Sequence, residues 1–210
     1  MTSNSANYIR YDNRGVAELN IVGASYGPGG EGARIAYMSV PCEIGLILIG
    51  ATSQGICWLG IHQCAAFLES ELRRDFPNAE IVRDDARLQE LSSSVVQLLV
   101  NPTPSLDLRI DVRATPFQLA VWRELCAIPR GATRSYREIA YRLRKPGGAR
   151  AVGRANGSNP LALLIPCHRA IGSDGNLTGY RWGLEYKRRL LDCERLLTNV
   201  STRPSVSGRD

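Results

Sequence analysis

Residues 135–156 read SYREIAYRLRKPGGARAVGRAN, the pattern of two short helices joined by a tight turn. Ser135 followed three positions later by Glu138 is a capping box, which predicts the start of the first helix. Residues 145–148, KPGG, end that helix, and a second one rich in small residues follows. An earlier helix is predicted to begin at Thr115-Pro116. The arrangement is typical of a helix-turn-helix unit, although another small helical bundle would give a similar pattern.

Basic residues are concentrated around these helices. Residues 1–106 carry 7 basic and 11 acidic side chains, whereas residues 107–210 carry 19 and 9, for a formal net charge of +6. Between Arg130 and Arg154 there are eight basic side chains and one acid, Glu138. Such a concentration favours a polyanionic partner such as nucleic acid, because neutralising phosphates supplies much of the binding energy. A solvated basic face is the alternative that charge alone leaves open.

A thiol and an imidazole are adjacent in Ile165-Pro166-Cys167-His168-Arg169. Cysteine is a strong nucleophile only as the thiolate, and a neighbouring histidine is the usual means of generating one near neutral pH. A buried and inert cysteine is the alternative. Lys187 and Glu194 lie seven positions apart in a predicted helix, so they share one face. We expect this face to point inward, where Glu194 would need a partner.

Changes in composition along the chain predict four segments. These are a flexible tail or vestigial linker over residues 1–33, an α/β unit over 34–111, a mainly helical unit over 112–197 and a disordered tail over 198–210. Short apolar runs separated by turn residues predict a three-stranded meander followed by helices in the α/β unit. The strands are predicted over residues 35–40, 44–49 and 56–61, and the helices over 63–76 and 86–100.

Several classes of protein are disfavoured by the sequence. The six cysteines are scattered without a CxxC pair, and there are only two histidines, so neither a structural metal site nor a disulfide framework is expected. No apolar run approaches the length of a membrane span. Residues 1–20 lack the basic-then-apolar order of a secretory signal, so a cytoplasmic location is expected.

In this order, the motifs resemble the O6-alkylguanine-DNA alkyltransferases, most closely the C-terminal half of the Ada-type members. The resemblance spans residues 34–197 and is carried by Ser135-Tyr136, Arg150-Ala151-Val152-Gly153, Asn159, Ile165–Arg169, Gly179-Tyr180-Arg181-Trp182-Gly183, Lys187 and Glu194. It implies a ribonuclease-H-like N-terminal domain, followed by a winged helix-turn-helix-like C-terminal domain that holds the active site.

The resemblance also implies a reaction. A methyl or other small alkyl group would move from O6 of guanine in DNA, and possibly from O4 of thymine, to Cys167 in a single irreversible turnover. His168 would deprotonate the thiol through a water, and Glu194 would orient and stabilise the imidazolium. Asn159 would tie the recognition segment to the active-site loop. Tyr136 would donate to the guanine ring, which lowers the barrier to its departure.

The expected partner is double-stranded DNA containing O6-alkylguanine, bound by a monomer through the minor groove with the base flipped out. No cofactor and no metal are implied. Arg150 would fill the space that the base leaves. The residues expected to contact DNA are Ser135, Tyr136, Gly148, Ala149, Arg150, Ala151 and Gly153. Those expected to line the substrate pocket are Ala162, Ala170, Tyr180, Arg181, Trp182 and Lys187, with Trp182 narrowing it towards small alkyl groups.

A second interpretation is a damage-recognition or regulatory protein that uses the same helix-turn-helix without chemistry. Alkyltransferase-like proteins of this kind have lost the acceptor cysteine, whereas Cys167 is present in this chain. For single residues, ordinary structural roles remain the alternatives. Glu194 could be solvated, Asn159 could be a turn residue before Pro160, and Tyr136 could be a buried structural tyrosine.

Overall fold

The computed structural model describes residues 6–12, 14–100 and 107–201, which form a mixed α/β fold. Its strands are β1 (Tyr8–Tyr11), β2 (Ala17–Asn20), β3 (Arg34–Cys42), β4 (Gly45–Ala51), β5 (Ile56–His62), β6 (Glu80–Arg83), β7 (Asp107–Arg109), β8 (Arg134–Ser135) and β9 (Ala170–Ile171). Its helices are α1 (Ala65–Asp75), α2 (Asp85–Val100), α3 (Pro116–Cys126), α4 (Tyr136–Arg142), α5 (Ala149–Gly157) and α6 (Leu184–Ser201). Within the described residues, no helix is both long enough and apolar enough to cross a lipid bilayer.

The main sheet has four strands in the order β5-β4-β3-β6. Its first three strands are the predicted meander, with β4 antiparallel to both neighbours. The fourth strand, β6, pairs parallel to β3 and was not predicted, because its four residues give little periodic signal. The two predicted helices are α1 and α2, with ends shifted by one or two residues. Strands β4 and β5 are apolar along nearly their whole length because most of their residues are buried.

The prediction that residues 1–33 form a flexible tail is wrong for the described residues 6–12 and 14–33. Strand β1 pairs antiparallel with β2 on one side and with β7 on the other, which makes a second sheet in the order β2-β1-β7. Ile9 and Leu19 from these strands are buried in the core. In the predicted C-terminal tail, residues 198–201 belong to α6, and the remainder lies outside the described residues.

The predicted capping box at Ser135 is present, and the predicted cap at Thr115 also forms a capping box, with Gln118. The Thr115 hydroxyl accepts from the backbone N–H of Gln118 at the start of α3, and Ser135 and Glu138 cap α4 reciprocally. Helix α5 follows α4 after a turn in which Arg144 has a φ of 56°. Trp122 in α3 donates its ring N–H to a carbonyl of α5 at 2.9 Å, which fixes the packing of these helices.

A short chain segment joins the helical part to the main sheet. Leu59 in β5 donates its backbone N–H to Pro160 at 2.8 Å and accepts one from Ala162 at 3.0 Å. Most buried apolar side chains of both parts belong to one continuous core, while Ala36, Met38, Ala51 and Leu88 form a separate small cluster. Strands β8 and β9 pair in parallel, so the start of α4 lies beside the residues that follow Cys167. The candidate site therefore lies where the helical part meets the sheet.

The core position of the N-terminal strands predicts a large cost for Ile9→Ala. Ile9 is fully buried, so truncation should lower the free energy of unfolding by about 2–5 kcal/mol. Val22→Ala is the matched control because Val22 is 71% exposed, and its effect should stay within about 0.5 kcal/mol. Urea denaturation of both variants measures this difference. Equal stability of the two would contradict the placement of β1 in the core.

Candidate active site

Cys167 begins a single 3-10 turn, Cys167–Arg169, whose three residues are all buried. The loop before this turn is held by Asn159, whose side-chain amide donates to the carbonyls of Ile165 at 2.9 Å and Leu161 at 3.3 Å. The amide oxygen accepts the backbone N–H of Leu161 at 3.0 Å. One buried side chain thus supplies hydrogen-bond partners to the loop backbone and fixes the position of Cys167.

His168 pairs with Glu194 across the site. Its Nε2 lies 2.9 Å from Oε1 of Glu194, and both side chains are buried. Its other ring nitrogen, Nδ1, is buried and has no hydrogen-bond partner among the described residues. When the carboxylate accepts Nε2–H, the lone pair of a neutral ring lies on Nδ1. The imidazole therefore has a basic nitrogen, Nδ1, that can accept a proton.

The Glu194 carboxylate receives donors from three places in the chain. Arg169 donates Nε and Nη2 to it at 2.8–3.1 Å, and the backbone N–H of Gly131 reaches Oε2 at 3.1 Å. Gly131 has a φ of +76°, a conformation that favours glycine in this turn. Burial alone would raise the pKa of Glu194, but the hydrogen bond from His168 and the charge and hydrogen bonds of Arg169 outweigh burial and hold this pKa below its usual range. Glu194 is thus ionised.

Arg169 is a site residue whose role was not predicted from the sequence. Its guanidinium also donates to the backbone carbonyls of Ile128 and Gly15, the latter at 3.0 Å. It is almost completely buried. The available signal was its adjacency to Cys167-His168, but the sequence could not show which carboxylate it binds. Arg169 supplies the charge that balances Glu194.

The protonation states of Cys167 and His168 follow from burial. Burial raises the pKa of the Cys167 thiol, and a hydrogen bond from Asn159 and the positive charge of Lys187 offset this only in part. Burial also lowers the pKa of His168, although Glu194 works in the opposite direction. At neutral pH the pair is therefore a neutral thiol beside a neutral imidazole. A thiolate forms only when a nearby base accepts the thiol proton.

Lys187 is fully buried in α6 and binds backbone carbonyls. Its Nζ donates to Ala170 at 2.6 Å and to Thr178 at 2.8 Å. The Tyr136 hydroxyl also donates to the Thr178 carbonyl, at 3.2 Å. Burial lowers the pKa of Lys187 to about 8, while the nearby Cys167 opposes this change. Lys187 and Tyr136 together fix the loop that leads to Tyr180.

Tyr180 and Ala170 complete the surroundings of the thiol. The Tyr180 hydroxyl is buried and has no hydrogen-bond partner in the described part of the chain. Burial raises its pKa well above the ordinary value, and the nearby Cys167 adds to this effect. Ala170 is fully buried at the start of β9. The structure thus gathers the predicted residues Asn159, Tyr136, Ala170, Tyr180 and Lys187 around Cys167, His168 and Glu194.

Three residues predicted to line the pocket pack towards the N-terminal half. Trp182 is buried edge-on against Trp58, with ring centroids 5.3 Å apart. Arg181 forms ion pairs with Glu71 at 3.2 Å and Asp75 at 2.6 Å. Ala162 is fully buried and hydrogen-bonded to β5. These contacts give all three a packing role, and their contact with a substrate stays a prediction.

The residues predicted to bind DNA lie at α4 and α5. Ser135 caps α4, and Gly148 precedes the first turn of α5. Arg150 is exposed in that turn and has no hydrogen bond or ion pair with any described residue. A side chain added at Gly153 would meet nothing within 4 Å, so this part of α5 is open to a partner. Ala149 and Ala151, also predicted to contact DNA, flank Arg150 in the same turn.

Among the described residues, no three His, Cys, Asp or Glu side chains are grouped so that they could hold a metal ion.

Comparison with known proteins gives the same family from sequence and from structure. The model of the family described as 6-O-methylguanine DNA methyltransferase, DNA binding domain, matches residues 116–196. The inducible methylated-DNA–protein-cysteine methyltransferase of Bacillus subtilis is 40% identical over 148 residues, which cover 70% of this chain and 83% of that one. The chain belongs to the methylated-DNA–protein-cysteine methyltransferase family.

Two further relatives bear on the extent of the match. The bifunctional transcriptional activator/DNA repair enzyme Ada of Escherichia coli is 38% identical over 173 residues, which cover 82% of this chain and 49% of that protein. The chain thus spans about half the length of this relative. The crystal structure of Mycobacterium tuberculosis OGT in complex with DNA matches with a TM-score of 0.64 and 34% identity, covering 77% of this chain and 93% of that one.

The buried charges of this family site predict a large effect of Arg169→Met. The substitution removes the positive charge beside the Glu194 carboxylate and the donors to two backbone carbonyls, so the free energy of unfolding should fall by roughly 3–5 kcal/mol. Arg189→Met is the matched control, because the Arg189–Glu185 pair at 2.5 Å is partly exposed and should contribute less than about 1 kcal/mol. Urea denaturation compares the two, and similar losses would show that Arg169 does not balance a buried charge.

Proposed function

We propose that the protein repairs DNA by transferring a methyl or other small alkyl group from O6 of guanine to Cys167. The observation that carries this proposal is the buried trio of Cys167, neutral His168 with its free Nδ1, and ionised Glu194. Family membership supports the same reaction. The protein would thus be a DNA-repair methyltransferase that uses its own cysteine as the acceptor.

The proposed chemistry is a displacement at a saturated carbon. The thiol proton passes to Nδ1 of His168, through a water, as the sulfur attacks the alkyl carbon. A carbon–sulfur bond forms while the bond between that carbon and guanine O6 breaks. Glu194 stabilises the imidazolium, and Lys187 stabilises negative charge on sulfur. A thioether is chemically stable, so each molecule acts once and needs no cofactor.

The departing guanine carries away a pair of electrons, so a proton or hydrogen bond on its ring lowers the barrier. Tyr136 is the proposed donor, since its half-buried hydroxyl lies at the loop that Lys187 fixes beside Cys167. Tyr180 is the proposed wall on which the base stacks. The backbone at Cys167 and Ala170 is proposed to read the guanine edge. The pocket roles of Ala162, Arg181 and Trp182 belong to the same proposal.

An alkylated O6 inside a duplex is out of reach of a buried thiol, so the base must leave the stack. Arg150, exposed at the start of α5 and without an internal partner, is proposed to fill the gap. The small residues around it, Gly148, Ala149, Ala151 and Gly153, would let this helix approach a minor groove closely. The basic excess around α4 and α5 supplies affinity for phosphates regardless of sequence.

We also propose a more specific assignment of the two halves of the fold. We assign residues 34–111 to a ribonuclease-H-like unit on the basis of the meander and its parallel fourth strand. Residues 112–197 are assigned to a winged helix-turn-helix unit on the basis of α4, the turn and α5. The protein would act as a monomer on double-stranded DNA in the cytoplasm.

The function is tested by mass spectrometry of the intact protein after incubation with a duplex containing O6-methylguanine. The wild type should gain the mass of one methylene group, because a methyl replaces the thiol proton. Cys167→Ala should show no gain while it still binds the duplex. Binding of the wild type without any mass gain would instead favour a damage-recognition protein without chemistry.

Arg150→Ala separates base extrusion from chemistry. Transfer from duplex DNA should slow by about tenfold or more, the equivalent of roughly 1.4 kcal/mol, because the flipped-out state loses its support. Transfer from free O6-methylguanine base should keep the wild-type rate, because no stack has to be opened. Equal slowing with both substrates, measured in single-turnover assays, would place Arg150 in the chemical step or in folding.

A further inference from the structure

A cavity that is partly open to solvent lies in the N-terminal half of the protein, at the ends of strands from the β2-β1-β7 sheet and the main sheet. Its volume is about 760 Å³, and none of the residues assigned to the candidate active site lines it. Its walls come from segments distant in sequence, including residues 22–25, 32–34, 52–54 and 109–111. The cavity is therefore a product of the tertiary fold and separate from Cys167.

Three arginines from three different elements line this cavity. They are Arg34 at the start of β3, Arg87 in the first turn of α2 and Arg109 at the end of β7. The Arg109 side chain is exposed and has no hydrogen bond or ion pair with any described residue. The guanidinium of Arg87 donates to the backbone carbonyl of Thr52 at 3.1 Å. Of the three guanidinium groups, only that of Arg34 forms an ion pair within the described residues, with Glu80 at 3.7 Å. The Asp84 carboxylate accepts the backbone N–H of Arg87 at 3.1 Å.

The one carboxylate that lines the cavity, within the described residues, is already satisfied. Asp111 is fully buried and accepts the backbone N–H of Ser25 at 2.8 Å, the Ser25 hydroxyl and the Thr52 hydroxyl at 2.5 Å. Asp111 therefore fixes the cavity wall. Its single negative charge is outnumbered by the three guanidinium groups that line the cavity. This excess occurs in the half of the chain with more acidic than basic residues, so general basicity of the protein does not explain it.

We propose that this cavity binds a small phosphate-bearing molecule of nucleotide size. Guanidinium groups present their donors in a planar fork that matches phosphate oxygens, and charged partners strengthen these hydrogen bonds. The volume lies within the range of small-molecule sites. Ser53 and Gln54 on the same wall add polar groups that can bind the rest of the ligand. The cavity is partly open to solvent and the three arginines are exposed, so a small ligand can reach their guanidinium groups.

The probes are inorganic pyrophosphate and ATP, each without divalent metal, titrated by calorimetry into the full-length protein at constant ionic strength. The wild type should bind one equivalent of at least one of them. Arg87→Gln combined with Arg109→Gln should weaken that binding by about tenfold or more, because each substitution removes a charge-assisted hydrogen bond. Arg188→Gln, an exposed arginine on α6 outside the cavity, is the matched control and should bind as the wild type does.

Methyl transfer by the same preparations checks that the variants are folded, and it should be unchanged because no active-site residue is altered. If the double variant lost transfer, the single substitution Arg109→Gln, at a side chain without an internal partner, would replace it. The proposal is overturned if the wild type binds neither probe, or if Arg188→Gln weakens binding as much as the cavity variants do. It is also overturned if the cavity variants lose affinity only for duplex DNA, which would make these arginines part of the DNA path.

Discussion

A carboxylate held out of water takes up a proton unless charges and donors compensate for the lost hydration, and Glu194 is held in this way. Its compensation comes from Arg169 and His168 in the turn that carries Cys167, and from the backbone N–H of Gly131 between α3 and α4. These groups converge only when α6, the turn and the α3–α4 connection are packed together. The charge that the chemistry needs therefore exists only in the complete fold.

The same burial sets how the nucleophile is made. A permanent thiolate–imidazolium pair would place two more charges in a region with little solvent, and the raised pKa of Cys167 and lowered pKa of His168 disfavour it. The resting thiol is consequently neutral and weakly reactive. Ionised Glu194 stabilises the protonated form of His168 and so lowers the energy of proton transfer from the thiol. The neutral pair nevertheless remains the resting state. For an acceptor that is used once, a thiol that reacts only with a positioned substrate is protected from wasteful oxidation.

Local signals in the sequence predicted the helical part well. The cap at Thr115, the capping box at Ser135 and the glycine-containing turn after Lys145 depend on neighbouring residues, and the structure contains all of them. Strand β1 was missed because it is four residues long and its partner β7 lies far along the chain, with Arg10 and Asp107 paired at a separation of 97 positions. The motifs identified the residues around Cys167, but not the contacts that orient them, because those contacts join distant segments.

N-terminal residues that were predicted to form a flexible tail support the active-site loop. The Tyr11 hydroxyl donates to the Leu164 carbonyl, three residues before Cys167, and the Gly15 carbonyl accepts from Arg169. On the other side of the loop, Leu59 in β5 pairs with the residues around Leu161. A loop held from two sides has little freedom to move its cysteine, which a displacement reaction needs because attack must come in line with the departing oxygen. The N-terminal half therefore acts as the rigid support against which the helical half positions its nucleophile.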